Sequence, residues 1–238
     1  MKNIFPLLVV LVLVAISIRL HGQTKINTLT KKEIKEGWKL MFDGKSPDQW
    51  RAVHKDKFPS SGWKVENGEM ISGRGGDIVT KAQYGNFEFT WEWKMDDKGG
   101  NSGVKYLVKE KQNTALGIEY QILDDENHEW MKQGKMKPGD YHTMGAVYEL
   151  YPIEVKKKVN PVGEWNKGKI LVNGSHVEHW LNGIKLVEYE RDSDDFKARI
   201  AKSKFKEAEG FGLHSEGHLM LQDHGSIVHF RNLKIKPL

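Results

Sequence analysis

The chain has 238 residues, of which 38% are hydrophobic; it contains no Cys and carries a formal net charge of +5. This length can bury a sizeable core, and the lack of Cys excludes a disulfide framework and a lipidated amino-terminal Cys. The densest basic run, residues 156–158, has no interleaved aromatic residues, so a nucleic-acid partner is not expected.

Residues 1–22 have the pattern of a secretory signal peptide. Lys2 precedes an apolar run from Ile4 to Ile18, and small and polar residues follow near Gly22. The run is short for a membrane-spanning helix, so an uncleaved membrane anchor is the weaker alternative. We therefore expect an exported protein, periplasmic or secreted, without permanent membrane insertion.

Residues 23–37 are interpreted as a lead-in segment. Thr30 and Glu33 have the spacing of a helix capping box, which predicts a short helix there. Residues 38–238 are then expected to form one domain, in which strand patterns dominate. The longest irregular stretches are residues 124–142 and 190–210, and loops of that length are often functional.

Strand patterns and tight turns fill this domain. Residues 87–94, FEFTWEWK, alternate aromatic and polar side chains with period two. Asn-Gly pairs begin at Asn67, Asn173 and Asn182 and predict hairpins with type I′ turns, the last two within a three-stranded meander over residues 169–189. Two further strands are expected around residues 223–225. The predicted fold is all-β, a single-domain antiparallel sandwich of jelly-roll type.

A polar face is predicted on the strand GIEYQILDD, residues 117–125. Glu119 and Gln121 alternate there with apolar residues, so both side chains point to one face. Polar or aromatic residues of other strands and loops complete the candidate site: Asn101, Lys105, Asp124, Trp130, Tyr148, His179, Gln222 and His224.

Three common chemistries are weakly indicated by these residues. A retaining glycosidase needs two carboxylates about 5 Å apart, but the residue two positions after Glu119 is Gln121, which does not ionise. No Gly-x-Ser-x-Gly motif is present. The ten His residues lack tight ligand spacing; a divalent metal stays open, with Asp124, Glu126 and His128 as the loop candidates.

An ordered set of motifs resembles the 3-keto-disaccharide hydrolase domain family, formerly a domain of unknown function. The set comprises FDG at 42–44, GW at 62–63, GNSGVKYLV, GIEYQILDD, GAVYELY, GEWN, HWLNG and the closing LQDHGSIVHFRNLKIK. The resemblance runs from about residue 38 to the carboxyl terminus. It implies a concanavalin-like glucanase and lectin fold, export from a sugar-degrading bacterium, and cleavage of 3-keto-glycosides, in some members by elimination across C1 and C2.

The resemblance and the polar face together suggest roles for the candidate residues. A 3-keto group acidifies the C2 proton, so one base suffices, and we expect Glu119 or His179 to be that base. Lys105, where the family often has Arg, is expected to stabilise the enolate or keto oxygen, and His224 to act as the acid. Gln121, Gln222, Asn101, Tyr148, Trp130 and Asp124 are expected to bind the substrate.

Two alternatives stay open at this stage. Glu119 and Lys105 would also make a purely structural ion pair. The same fold serves lectins, so a non-catalytic carbohydrate-binding module would show the same polar face and the same Trp residues.

Overall fold

The computed structural model describes residues 25–153 and 155–238, so the predicted signal peptide lies outside the described residues. These described residues contain thirteen strands, in chain order β1 (Lys39–Leu40), β2 (Trp50–Ala52), β3 (Lys64–Glu66), β4 (Glu69–Ile71), β5 (Ile78–Thr80), β6 (Phe87–Met95), β7 (Asn101–Lys111), β8 (Thr114–Leu123), β9 (Asn166–Asn173), β10 (His176–Leu181), β11 (Ile184–Glu190), β12 (His218–Leu221) and β13 (Val228–Pro237). Three short helices accompany them: α1 (Lys31–Lys35), α2 (Glu129–Lys132) and α3 (Asp194–Lys202).

The strands form two antiparallel sheets. The larger sheet has the order β11-β10-β9-β6-β13-β4-β3, with β1 also paired to β13, and the smaller one has the order β2-β5-β12-β7-β8. This arrangement confirms the predicted all-β, concanavalin-like jelly-roll sandwich. None of the helices in the described residues is long and apolar enough to cross a membrane.

The core lies between the two sheets and follows the period-two patterns. All four aromatic residues predicted to share a face of β6 are buried. Trp91 packs edge-to-face on Tyr120 of β8, with ring centres 5.0 Å apart. Gly168 of β9 is required at this contact, because a Cβ there would lie 2.2 Å from the Trp91 ring.

The predicted hairpins and the lead-in helix are present, with one correction. Asn67 and Asn182 adopt positive φ together with the Gly that follows each of them, as a type I′ turn requires. Asn173 instead pairs with His176 across the hairpin, so the two-residue loop is Gly174-Ser175. Helix α1 begins after Thr30 with the complete capping box predicted from Glu33. The division of the chain at residues 22 and 37 stays a prediction.

The segment between β8 and β9 packs along the free edge of β8. The Tyr148 N–H donates to the Glu119 carbonyl at 3.1 Å, and the Gly145 N–H donates to the Gln121 carbonyl at 2.8 Å. The sequence GAVYELY forms turns joined by isolated bridges, and Glu149 has a φ of 68°. The segment therefore supports the strand that presents Glu119 and Gln121. The predicted irregular stretch 190–210 also contains a helix, α3.

Candidate functional site

A cavity of about 360 Å³ opens on the outer face of the smaller sheet. Its volume falls in the range of small-molecule sites. Strands β7 and β8 form its floor, and the residues after β12, the segment after β8 and the segment after α3 form its walls. The lining residues are Asn101, Lys105, Glu119, Gln121, Leu123, His128, Trp130, His142, Tyr148, Lys204, Gln222 and His224.

Eight of the ten residues predicted from the sequence line this cavity, His179 and Asp124 being the exceptions. The cavity also contains three polar residues that the sequence did not assign to it: His128, His142 and Lys204. His128 appeared only as a metal candidate. The single sequence signal for Lys204 was the length of the stretch that contains it, because nothing local connects residue 204 with β8.

Glu119 lies at the centre of the floor beside two partners. Lys105 pairs with it directly across the β7–β8 ladder, and the Lys105 ammonium lies 3.7 Å from the carboxylate. The Gln222 amide bridges the pair when its nitrogen donates to Glu119 Oε1 at 3.0 Å. Its oxygen then accepts from Lys105 Nζ at 3.0 Å and from His224 Nε2 at 3.2 Å.

Gly103 makes room for this arrangement. It lies on β7 opposite Gln121, and its carbonyl accepts from the Gln222 N–H at 2.9 Å. A Cβ at this position would lie 2.0 Å from the end of the Gln222 side-chain amide and 3.0 Å from Glu119 Oε1. Residue 103 must therefore lack a side chain, because Gln222 and Glu119 occupy the space beside it.

Burial controls the protonation of Glu119. The residue is only 7% exposed, and this desolvation raises the pKa of the carboxyl, although Lys105 and Lys204 oppose the shift. A raised pKa makes the ionised carboxylate a stronger base than an exposed Glu. Lys204 lines the wall of the same cavity.

Neutral groups surround the carboxylate on the other sides. Loss of hydration lowers the pKa of His224, so its ring is neutral near pH 7, although the residue keeps an exposed surface that limits the shift. Burial, and then the charge of Glu119, raise the pKa of Tyr148 to about 12. Gln121 donates from its amide nitrogen to Asn101 Oδ1 at 3.1 Å.

Aromatic side chains form the outer wall. Trp130 is 42% exposed and packs edge-to-face against His128 and His142, with ring centres 5.6 and 5.8 Å apart. His142 is fixed in turn by Glu149, at 3.2 Å from its Nε2. An exposed indole beside a polar cavity suits the predicted stacking on a sugar ring.

The structure corrects the prediction that His179 belongs to this site. His179 is fully buried between the sheets, where its Nδ1 donates to the Gly145 carbonyl at 3.1 Å and its Nε2 accepts from the Tyr106 hydroxyl at 2.9 Å. Tyr189 completes the network at 2.6 Å from the Tyr106 hydroxyl. Burial lowers the pKa of His179 to about 4, and the neutral ring anchors the segment that supports β8.

Asp124 also lies outside the cavity. It borders a neighbouring cavity of about 520 Å³, and its carboxylate accepts from the Gly99 N–H at 2.8 Å and from Asn127 at 2.9 Å. The prediction that Asp124 binds substrate in the site is therefore not supported by its position. Its role is to fix the loop after β8.

The three loop candidates for a metal do not converge. Glu126 borders the larger cavity with Asp124, whereas His128 lines the site cavity and caps α2. Within residues 25–153 and 155–238, the ligand atoms that do converge are those of His176, Glu178 and Glu188. The Lys185 ammonium already lies 3.3 Å from Glu178 and 2.5 Å from Glu188.

The fold and the cavity define a jelly-roll sandwich domain whose smaller sheet carries a cavity of small-molecule size around a buried carboxylate. Residues 37–236 match the model of the 3-keto-alpha-glucoside-1,2-lyase-like domain. The chain belongs to this family, as its motifs predicted.

Relatives support the same assignment. A 3-keto-disaccharide hydrolase of Bacteroides thetaiotaomicron is 34% identical over 235 residues, covering 85% of this chain and 79% of the relative. The structure of a candidate glycosyl hydrolase from Parabacteroides distasonis matches with a TM-score of 0.82 and 40% identity over 90% of this chain and 100% of that one. A second candidate glycosyl hydrolase from that organism gives a TM-score of 0.65 and 31% identity over 84% and 99%. These similarities support an enzyme that acts on glycosides.

The buried His179 predicts an acid-sensitive fold. Because its pKa is lower in the folded chain than in the unfolded chain, the unfolded state binds more protons between about pH 6.5 and 4. The free energy of unfolding should therefore fall by about 3 kcal/mol over this range through His179 alone. Denaturant unfolding at several pH values measures this free energy. In His179→Leu, it should decrease less as the pH is lowered. Parallel pH curves for the two proteins would contradict the role.

The Gly103 contact predicts a specific failure of the site. Gly103→Ala should displace Gln222 and lower the activity toward any glycoside that the wild type cleaves by at least ~10-fold, while unfolding stays cooperative. Gln222→Ala removes the 2.0 Å contact, so adding Gly103→Ala to this variant should cost much less activity than Gly103→Ala costs the wild type. Additive losses in kcat/KM would argue against the contact.

Proposed function

We propose that this protein cleaves the glycosidic bond of 3-keto-glycosides by abstracting the C2 proton and eliminating the C1 aglycone. The observation that carries the proposal is the single carboxylate. Among the described residues that line the cavity, Glu119 is the one Asp or Glu side chain. Double-displacement hydrolysis of an ordinary glycoside needs a second carboxylate about 5 Å away. Elimination from a 3-keto sugar needs a single base.

Glu119 is the proposed base. The C3 carbonyl lets the electrons of the broken C2–H bond delocalise onto the C3 oxygen, and the proton moves to the carboxylate. The electrons then form a C1–C2 double bond as the C1–O bond breaks, which leaves an unsaturated 2-hydroxy-3-keto sugar. Water that adds afterwards at C1 makes the overall reaction a hydrolysis.

Lys105 is the proposed electrophile for the developing enolate. Its ammonium lies beside Glu119, so the C2 hydrogen and the C3 oxygen of one sugar ring can face the two groups together. A preorganised cation in a site with little water stabilises an oxyanion more than solvent does. His224 and Gln222 are proposed to hold Lys105 and Glu119 in this geometry, and Gln121 and Asn101 to bind sugar hydroxyls.

Export is a further part of the proposal. The apolar run before residue 22 supports it, because it has the length and flanks of a signal peptide. A mature chain that begins near residue 23 in the periplasmic fraction is the expected result. A full-length chain retained with the membranes would oppose it.

The decisive experiment uses the chain without residues 1–22, with 3-keto-glucosides and the matching unoxidised glucosides in deuterated water. NMR should show aglycone release from the keto substrates only. Glu119→Gln should lower kcat by about 10²-fold or more. Its free energy of unfolding near pH 7 should be unchanged or higher, because the neutral amide avoids burial of a charge.

Two controls sharpen this experiment. The kcat/KM of the wild type should fall on the acid side, as Glu119 becomes protonated at a pH above its usual range. Trp130→Ala leaves the base in place and should raise KM with a smaller effect on kcat. If the wild type binds the sugars saturably but turns over neither substrate, the protein is a lectin-like binding module and the proposed enzymatic function is wrong.

A further inference from the structure

Lys204 approaches the cavity from outside the sheet. It follows α3, in the connection to β12, and the two residues beside it are buried anchors. The Phe205 N–H donates to Ser203 Oγ at 3.0 Å, and the Phe205 ring stacks on Phe211 with centres 4.0 Å apart. The backbone at residue 204 is therefore fixed, although the Lys204 side chain itself keeps an exposed surface.

The Lys204 ammonium lies over the Tyr148 ring, 4.2 Å from its centre, on the wall that faces the sheet. Within the described residues, no carboxylate lies within the 4.0 Å of an ion pair and no acceptor takes a hydrogen bond from it. Lys105 differs, because Glu119 and Gln222 already contact it. The N–H groups of Lys204 are therefore available to a molecule in the cavity.

The proposed reaction needs such a donor on the side of the leaving group. When the aglycone is an alcohol or another sugar, the departing oxygen is strongly basic and must be protonated as the C1–O bond breaks. His224 was the donor expected from the sequence. Its Nε2 hydrogen already points to the Gln222 oxygen, so a neutral His224 has no second N–H to give.

The remaining donors in the cavity differ in acidity. Tyr148 is a weak acid, because burial raises its pKa to about 12. Desolvation has the opposite effect on Lys204 and lowers its pKa, helped by Lys105 and opposed by the carboxylates Glu119 and Glu149. A lysine with a lowered pKa gives up its proton more readily than an exposed one.

We propose that Lys204 is the general acid that protonates the departing aglycone oxygen. This proposal rests on the function proposed above. Glu119 takes the C2 proton, the electron pair of the C1–O bond moves to the oxygen, and this oxygen takes a proton from Lys204 Nζ. The aglycone leaves as a neutral alcohol, and Lys204 remains as a neutral amine. Loss of the proton from Glu119 to water and uptake of one by Lys204 restore the starting state.

The test compares two leaving groups on the same sugar, methyl 3-keto-glucoside and 4-nitrophenyl 3-keto-glucoside. Nitrophenolate leaves without protonation, whereas methoxide does not. Lys204→Met should therefore lose about 10²-fold or more in kcat on the methyl glycoside and only a few-fold on the nitrophenyl glycoside. Lys204→Arg keeps the charge but holds its proton too tightly to donate it, so it should not rescue the methyl substrate.

Matched controls come from the same cavity. Tyr148→Phe and His224→Gln should reduce activity on both glycosides by similar factors, because neither removes the proposed donor. In deuterated water, Lys204→Met should still exchange the C2 hydrogen of the methyl glycoside, because Glu119 is intact, while cleavage is lost. Thermal unfolding of each variant checks that the fold is retained.

The outcomes separate this proposal from the proposed function. If Lys204→Met loses kcat equally on both glycosides, or if Lys204→Arg retains the activity on the methyl glycoside, Lys204 is not the acid. Either result would leave the proposed elimination in place. If Tyr148→Phe instead loses activity selectively on the methyl glycoside, Tyr148 is the proton donor and the proposal for Lys204 is wrong. Failure of the wild type to cleave either keto-glycoside would defeat the proposed function itself.

Discussion

The burial of one carboxylate on the outer face of a sheet is the constraint on which the rest of the site depends. Glu119 is in a strand whose other face fills the core, so its position is as rigid as the sandwich itself. An ionised carboxylate loses hydration there, and a neighbouring cation and amide compensate for part of that loss. The β7–β8 register supplies the cation, and the space at Gly103 admits the amide.

Buried residues between the two sheets help to hold Glu119 in this position. The hydrogen bond from His179 to the Gly145 carbonyl crosses the core from the larger sheet to the segment that borders β8. That segment extends the smaller sheet and contributes Tyr148 to the cavity wall. The site is consequently coupled to the packing of both sheets, and a residue that never touches the cavity helps to define its shape.

The electrostatic design explains why the two lysines are not equivalent. Lys105 is engaged by Glu119 and Gln222 on the floor, whereas Lys204 comes from a separate segment and rests on an aromatic ring. The proposed base on the floor and the proposed donor on the wall would suit a reaction that removes a proton from one carbon and delivers one to the oxygen on the next. In the proposed mechanism, this arrangement would separate the two proton transfers in space while both groups line one cavity.

Period-two alternation determined much of this protein from the sequence alone. It identified the strands, the sandwich and the face that carries Glu119 and Gln121, because strand geometry is local and successive side chains must alternate. Alternation could not show which side of a strand faces another sheet, so His179 was wrongly grouped with the polar face. Only the tertiary structure brought Lys204 and His142 to the cavity and left Asp124 outside it. Their positions depend on long-range packing of loops against the sheet, which no local pattern records.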